Sequence, residues 1–261
     1  MQTEQEDMPT LVEGLTLKGH TVALADDTKD GVDFVAKPLV YKFHNHNVIS
    51  IFKRMPFGTD IKMDGNPFIY ALKGIHGWPF NMSSANIIKY LRRFINNCNQ
   101  ISKTYDTVII VPSQYDVNRR FMYAIKSIVG YKNSIEAFFF KVEIDDPDSL
   151  IDHDKLNKDF TPYAKELIYD RIYKCFNKMK SGYFESKYMD KDLMKYLSMV
   201  VAFDRQQVAD IAPMIDGKNV LILDDTLSSG KTISDCAKII ESTFNPKKLT
   251  FITLLSKKFS K

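Results

Sequence analysis

The chain of 261 residues carries only three cysteines, Cys98, Cys175 and Cys236. An odd number at wide spacing matches neither a disulfide framework nor a zinc or redox motif. A reducing, cytoplasmic setting is the expectation that follows. No apolar run approaches the roughly 20 residues that a membrane-spanning helix needs. The opening residues 1–8 are polar and acidic, unlike a secretory leader. An excess of one charge is also missing. The 36 basic and 32 acidic residues are interleaved along the chain, so nothing indicates a nucleic-acid partner. Internal repeats and low-complexity tracts are absent. What is present is an ordinary globular composition, 44% hydrophobic and 26% charged, on a chain long enough to bury a substantial core.

The pattern divides the chain unevenly. Residues 1–34 are weakly patterned and read as a mobile arm with one short strand at 21–24. Residues 35–261 read as one domain. Two β-rich runs, 39–43 and 48–52, flank an Asn-rich tip and predict a hairpin. Residues 68–74 read as a short helix ended by Gly74. Ser83 or Ser84 can cap the next helix, where Ile87, Ile88, Leu91, Ile95 and Cys98 recur at helical spacing. Residues 107–111 are continuously apolar and stopped by Pro112, as in a strand buried on both faces of a parallel sheet. Helical spacing returns over 121–129, and a strand is expected over 135–142 around Phe138, Phe139 and Phe140.

From about residue 143 to 200 the character changes. The stretch opens acidic and becomes rich in Lys, Tyr and Asp. Helices are expected around 163–179 and 190–200, forming an insertion or lid too polar to bury much by itself. The end is clearest. A buried strand at 219–223 leads to a helix at 232–243 with Ile233, Ala237, Ile240 and Phe244 facing in, and then to a strand at 249–255. Strand, loop, helix, strand is a crossover unit of a parallel sheet.

Ligands of open parallel sheets bind at the carboxyl ends of strands. After Leu223 the chain offers Asp224 and Asp225, then Thr226, Leu227, Ser228, Ser229, Gly230, Lys231 and Thr232, then a helix. Hydroxyls, backbone amides and a helix N-terminus suit a phosphate monoester, and Gly230 permits close approach. Two carboxylates beside a phosphate make sense if they accept hydrogen bonds from nearby hydroxyls or hold a divalent cation. Ribose 5-phosphate joins both features in one molecule. Although Gly230-Lys231-Thr232 imitates the end of a nucleoside-triphosphate loop, that motif needs a glycine where Asp225 stands.

The segment from Val220 to Thr232 resembles the signature of the type I phosphoribosyltransferases: a hydrophobic strand, two acidic residues, two variable residues, a Ser/Thr pair, Gly, any residue and Thr. The resemblance extends over about residues 47–255. It implies an α/β, parallel-sheet (Rossmann-like) phosphoribosyltransferase fold, with an N-terminal hairpin and helix region and a helical insertion or hood at about 143–200. It also implies Mg²⁺ and 5-phosphoribosyl-1-diphosphate. Asp224 and Asp225 would hold the ribose and the metal, and residues 226–232 the 5-phosphate. Ser113, Gln114, Tyr115, Arg119 and Arg120, which follow the strand at 107–111, would hold pyrophosphate, with Lys141 of the next strand reaching it. Asn118 lies in the same stretch. Phe68, Ile69, Leu72 and Lys73 further resemble the ComF-like branch, whose usual zinc-binding cysteines are lacking here. Purine-salvage members often carry Asp where Ser228 stands, so a 6-oxopurine acceptor is not implied.

Three functions stay open at this level: a transferase acting on an unidentified nucleophile, a non-catalytic sensor of phosphoribosyl diphosphate or a nucleotide, and a subunit of a homo-oligomer or larger assembly contacting partners through 143–200. Minor constellations are read structurally. His44 and His46 lie on an exposed strand face, and the aspartates at 145, 146, 148, 152 and 154 form a loop and helix start, without the Gly and Glu of a calcium loop. Tyr70, Trp78 and Phe80 are read as packing.

Overall fold

A computed structural model describes residues 14–18, 21–25, 34–35, 39–43, 45–54, 73, 92, 101, 104–113, 116–179, 182–185, 188–227 and 229–256. Its centre is a run of five parallel strands in the order β5 (His46–Arg54), β11 (Lys248–Ser256), β10 (Asn219–Leu227), β6 (Thr104–Ile110) and β7 (Gly130–Ile135). Leu223 pairs with Ile110 on one side and Ile252 on the other, and Ile252 pairs with Ile49. These apolar runs are buried on both faces, which is why they lack the alternation of half-exposed strands. The Asp106 carboxylate accepts the Asn219 amide at 2.9 Å and pins the start of β10 against β6.

Antiparallel strands extend the sheet beyond β5. β4 (Leu39–Phe43) pairs with it as a hairpin, with Phe43 opposite His46. β3 (Phe34–Val35) also pairs with β5, and joins it to β1 (Gly14–Lys18) and β2 (Thr21–Ala25). The expected strand at 21–24 thus has a partner within residues 1–34. His46 does not lie on an exposed face: its ring meets the edge of Phe251 and its Nε2 is 3.0 Å from Glu241. His44 and the expected helices at 68–74 and 83–98 lie outside the described residues, except for Lys73 and Arg92, which both have helical backbone.

Helices cover both faces. In helix α1 (Val117–Lys126), Val117, Asn118, Phe121, Met122 and Ile125 face inward. Helices α2 (His153–Asp159), α3 (Pro162–Phe176) and α4 (Val208–Ile215) precede α5 (Lys231–Thr243). Ile233, Cys236, Ala237 and Ile240 of α5 join Ile109, Val220, Ile222 and Phe251 in one core cluster. The buried residues of α1 stand outside that cluster, although α1 packs on β6 and β10, so α1 lies on the opposite face of the sheet.

Two local expectations change. The strand expected over 135–142 is divided: β7 ends at Ile135, and β8 (Phe139–Lys141) leaves the main sheet to pair antiparallel with β9 (Val201–Phe203). The break lets Phe138 turn inward, where it is fully buried against Phe139, Phe203 and Phe244. Over 190–200 there is one 3₁₀ turn, Met194–Tyr196, in place of a helix. Its irregular backbone is tied down by Ile151 pairing with Leu197, by Ser198 donating to Leu150 and by Asp152 donating to Tyr196.

The segment expected to bury little supplies Leu150, Leu156, Ile172, Phe176, Leu193, Tyr196 and Val200 to the same core cluster as α5. Phe138→Ala opens a cavity beside Phe139, Phe203 and Phe244. It is expected to cost about 3–5 kcal/mol of unfolding free energy, read by urea denaturation.

Candidate functional site

The crossovers from adjacent strands diverge. β6 leads through α1 to β7 on one side, and β10 leads through α5 to β11 on the other. The carboxyl ends of β6 and β10 therefore flank a topological switch point, the place where open α/β sheets bind ligands. The two strands also end at different heights. β10 pairs with β11 as far as Leu227 opposite Ser256, but with β6 only as far as Leu223 opposite Ile110. One further bond, Val111 N–H to the Leu223 carbonyl at 2.9 Å, closes that side. Beyond it, residues 224–227 form a lip that has no strand partner on the β6 side among the described residues. Asp224 and Asp225 are thus strand residues, where the sequence suggested a loop.

Asp224 is buried, and its Oδ1 accepts the Asp225 amide at 2.8 Å. Burial, then the neighbouring Asp225 carboxylate, push its pKa up to about 7; the Asp225 amide, Lys73 and a hydrogen bond from Asn118 work against that shift. Asn118 also donates from Nδ2 to the Val111 carbonyl at 2.9 Å, while its buried Oδ1 has no partner. On Asp225, Oδ2 lies 2.8 Å from Lys73 Nζ, with side chains 14% and 20% exposed.

Lys141 reaches the same place from β8. Its pKa is lowered by burial and then by Lys73; Asp225, Glu185 and Asp224 oppose the shift. The insertion contributes here too. Tyr183 bridges antiparallel to Glu143, and Phe184 N–H donates to the Val142 carbonyl, a register that sets Glu185 opposite Lys141. Lys73 therefore pairs with Asp225, and Lys141, itself opposite Glu185, lies within electrostatic reach of both aspartates.

The turn after the lip is shaped by Gly230, whose φ of 83° is readily adopted only by glycine, and α5 starts directly behind it. The Ser229 hydroxyl accepts the Lys231 amide at 3.2 Å. First-turn N–H groups of α5 have no intrahelical acceptor and carry the positive end of the helix dipole. Lys231 points back into the protein: its Nζ is 2.6 Å from Asp235 Oδ1, and the fully buried Asp235 also accepts the Val200 amide at 2.7 Å. Burial lowers the Lys231 pKa and Asp235 opposes that. The side chain of Leu227 is buried in the core. Thr226 and Thr232 are half-buried in the lip and first turn, and Ser228 lies outside the described residues.

The other sequence candidates separate. Ser113, half-buried, follows β6 at the sheet edge that bears Asp224, whereas Gln114 and Tyr115 lie outside the described residues. Arg119 and Arg120 are on the exposed side of α1. Arg119 binds Glu136 at 2.7 Å and Asp116 at 3.5 Å, which raises its pKa. The α1 residue that turns toward β10 is Asn118. Its signal in the sequence was a polar side chain on the inward stripe with Phe121, Met122 and Ile125. Lys73 figured in the sequence only within the ComF-like resemblance at 68–74, with no role in the site assigned to it. Asp146 and Asp152 cap the 3₁₀ turn Pro147–Leu150 and α2, as the reading of a helix start requires.

Two outcomes follow from these charges. Lys231→Met leaves Asp235 charged and without its cation in a dry site, and is expected to cost about 3–5 kcal/mol. Adding Asp235→Asn, which keeps an acceptor for Val200, is expected to restore most of that loss in urea denaturation. For Asp224, the native state holds the proton to higher pH than the unfolded chain does. The carboxyl therefore costs nothing below about pH 4 and progressively more up to about pH 7. In divalent-free buffer Asp224→Asn is expected to exceed the parent in stability by up to about 4 kcal/mol near pH 8, and to match it near pH 4. Melting curves across pH check this; a gap that does not widen with pH contradicts it.

No family model, curated protein or solved structure matches this chain.

Proposed function

We propose that the chain binds 5-phosphoribosyl-1-diphosphate at the β6–β10 switch point and transfers its phosphoribosyl group to a nucleophile, as a Mg²⁺-dependent phosphoribosyltransferase. The observation that carries this reading is the adjacency of two unlike subsites on one lip: the Asp224–Asp225 carboxylates, then a glycine turn running into the start of α5. A ligand that satisfies both needs vicinal hydroxyls at one end and a phosphate at the other. Sugar hydroxyls donate to the aspartates; the 5-phosphate takes Ser229, Thr232 and the first-turn amides of α5.

For the diphosphate, the reading favours Lys141 with Ser113, and Lys73 once it is drawn off Asp225. Arg119 would first have to leave Glu136, and Arg120 points to solvent. The residues fit Mg²⁺ of one kind. Among the described residues no three His, Cys, Asp or Glu side chains gather as a protein-only cage. Two adjacent carboxylates are the hard-oxygen set that holds Mg²⁺ together with a ligand's phosphates. When bound, the ion would neutralise charge on the departing pyrophosphate.

In the transfer the C1–O bond to pyrophosphate breaks, a bond from C1 to the nucleophile forms, and the nucleophile's proton is lost. The chain's part is positioning and charge stabilisation of an oxocarbenium-like transition state. The insertion, which brings Glu185 opposite Lys141, is read as a hood that excludes water. The alternative, a non-catalytic sensor, uses the same ligand and site.

Calorimetric titration with phosphoribosyl diphosphate and Mg²⁺ tests the ligand. The unmutated chain is expected to bind, and Asp224→Asn/Asp225→Asn to weaken binding at least about 100-fold, in line with the loss of several charge-assisted hydrogen bonds. No binding by the unmutated chain sinks the proposal. Binding with no pyrophosphate release across a panel of bases and amines favours the sensor.

A further inference from the structure

We infer that Lys73 is a resident counter-ion of this site, one that must leave Asp225 before a sugar hydroxyl or a divalent cation can take its place. The inference rests on the reading of Asp225 as a ligand-facing carboxylate given above.

Lys73 Nζ and Asp225 Oδ2 are 2.8 Å apart, and both side chains are largely withdrawn from water. Screening is weaker there than at a surface pair, so the contact is held more firmly. The neighbourhood gives the ammonium little reason to move on its own. Lys141 presents a like charge close by, while the second carboxylate of the pair, Asp224, already accepts the Asp225 amide and a hydrogen bond from Asn118. Two ammonium groups, those of Lys73 and Lys141, thus face the aspartate pair and Glu185 within the protein.

A divalent cation approaching Asp225 seeks the oxygen that Lys73 holds, and meets the charge of Lys141 as well. Two cations cannot share one carboxylate oxygen without strong repulsion. A hydroxyl donor competes for the same lone pairs. Lys73 therefore lowers the affinity of the bare carboxylates for a cation and reserves Asp225 for a ligand able to displace it. A ligand carrying its own anionic group next to the hydroxyls gives the displaced ammonium somewhere to go, which a metal ion alone does not.

The test uses Mn²⁺ alone as the probe, with bound ion read from loss of the free-ion paramagnetic resonance signal. Lys73→Met is expected to bind Mn²⁺ about tenfold more tightly than the unmutated chain. Lys73→Arg, which keeps a cation on Asp225, is expected to stay within about twofold of it. The gain is expected to vanish in Lys73→Met/Asp225→Asn. Melting curves establish that each variant is folded. Affinity in Lys73→Met equal to or below that of the unmutated chain overturns the inference, as does a gain that survives Asp225→Asn. Failure of the underlying reading looks different. If the unmutated chain does not bind phosphoribosyl diphosphate, the sugar assignment falls while a Mn²⁺ gain in Lys73→Met still identifies Lys73 as the gate on Asp225.

Discussion

The candidate site depends on one inequality of length: β10 outruns β6. From Val220 to Leu223 the central strand has paired neighbours on both sides. Four residues later it still has β11 but no longer has β6. A lip of regular backbone results, paired on the β11 side and without a strand partner on the β6 side among the described residues. The aspartates stand on the lip because the strand carries them there. Their positions are set by sheet register, a stiffer frame than a loop. The turn at Gly230 and the start of α5 then lie at the end of this ruler.

Charge in the site is arranged by burial more than by number. The charged groups of this small region come from widely separated stretches: Lys73, Lys141 from β8, Glu185 from the insertion, and the aspartates from β10. Each is partly stripped of water, so each depends on the others. The rise in the pKa of Asp224 and the fall in that of Lys141 are two expressions of that crowding.

Legibility in the sequence followed the range of the forces involved. The unit from β10 through α5 to β11 was readable because its apolar runs are uninterrupted and its helix shows one clean stripe, both short-range signals. The glycine turn at Gly230 and the helix start behind it were readable from equally local signals. The insertion was not. Leu150, Leu156, Ile172, Phe176 and Leu193 are separated by charged residues at no fixed period, and only the fold gathers them into one core cluster with Phe138 and the buried residues of α5. Lys141 was placed on the wrong strand because three phenylalanines in a row look like a continuation of β7, whereas Phe138 is better buried by a bend. Asn118 was outweighed by Arg119 and Arg120, whose chemistry suits a diphosphate but whose position on α1 faces outward. Lys73 could be assigned only from a tertiary contact.

Asp235 gives the insertion a standing that its composition hides. This carboxylate belongs to the first turns of α5, yet one of its oxygens is satisfied by the main-chain amide of Val200, at the end of the inserted stretch. A segment acquired late as a surface ornament can usually be trimmed away again, because nothing beneath it has come to rely on it. Here the helix behind the glycine turn keeps a buried charge whose neutral lining is partly supplied by the ornament. Moving the Val200 amide away would leave the Asp235 carboxylate and its Lys231 partner with one buried hydrogen bond fewer, at the foot of the helix behind the glycine turn.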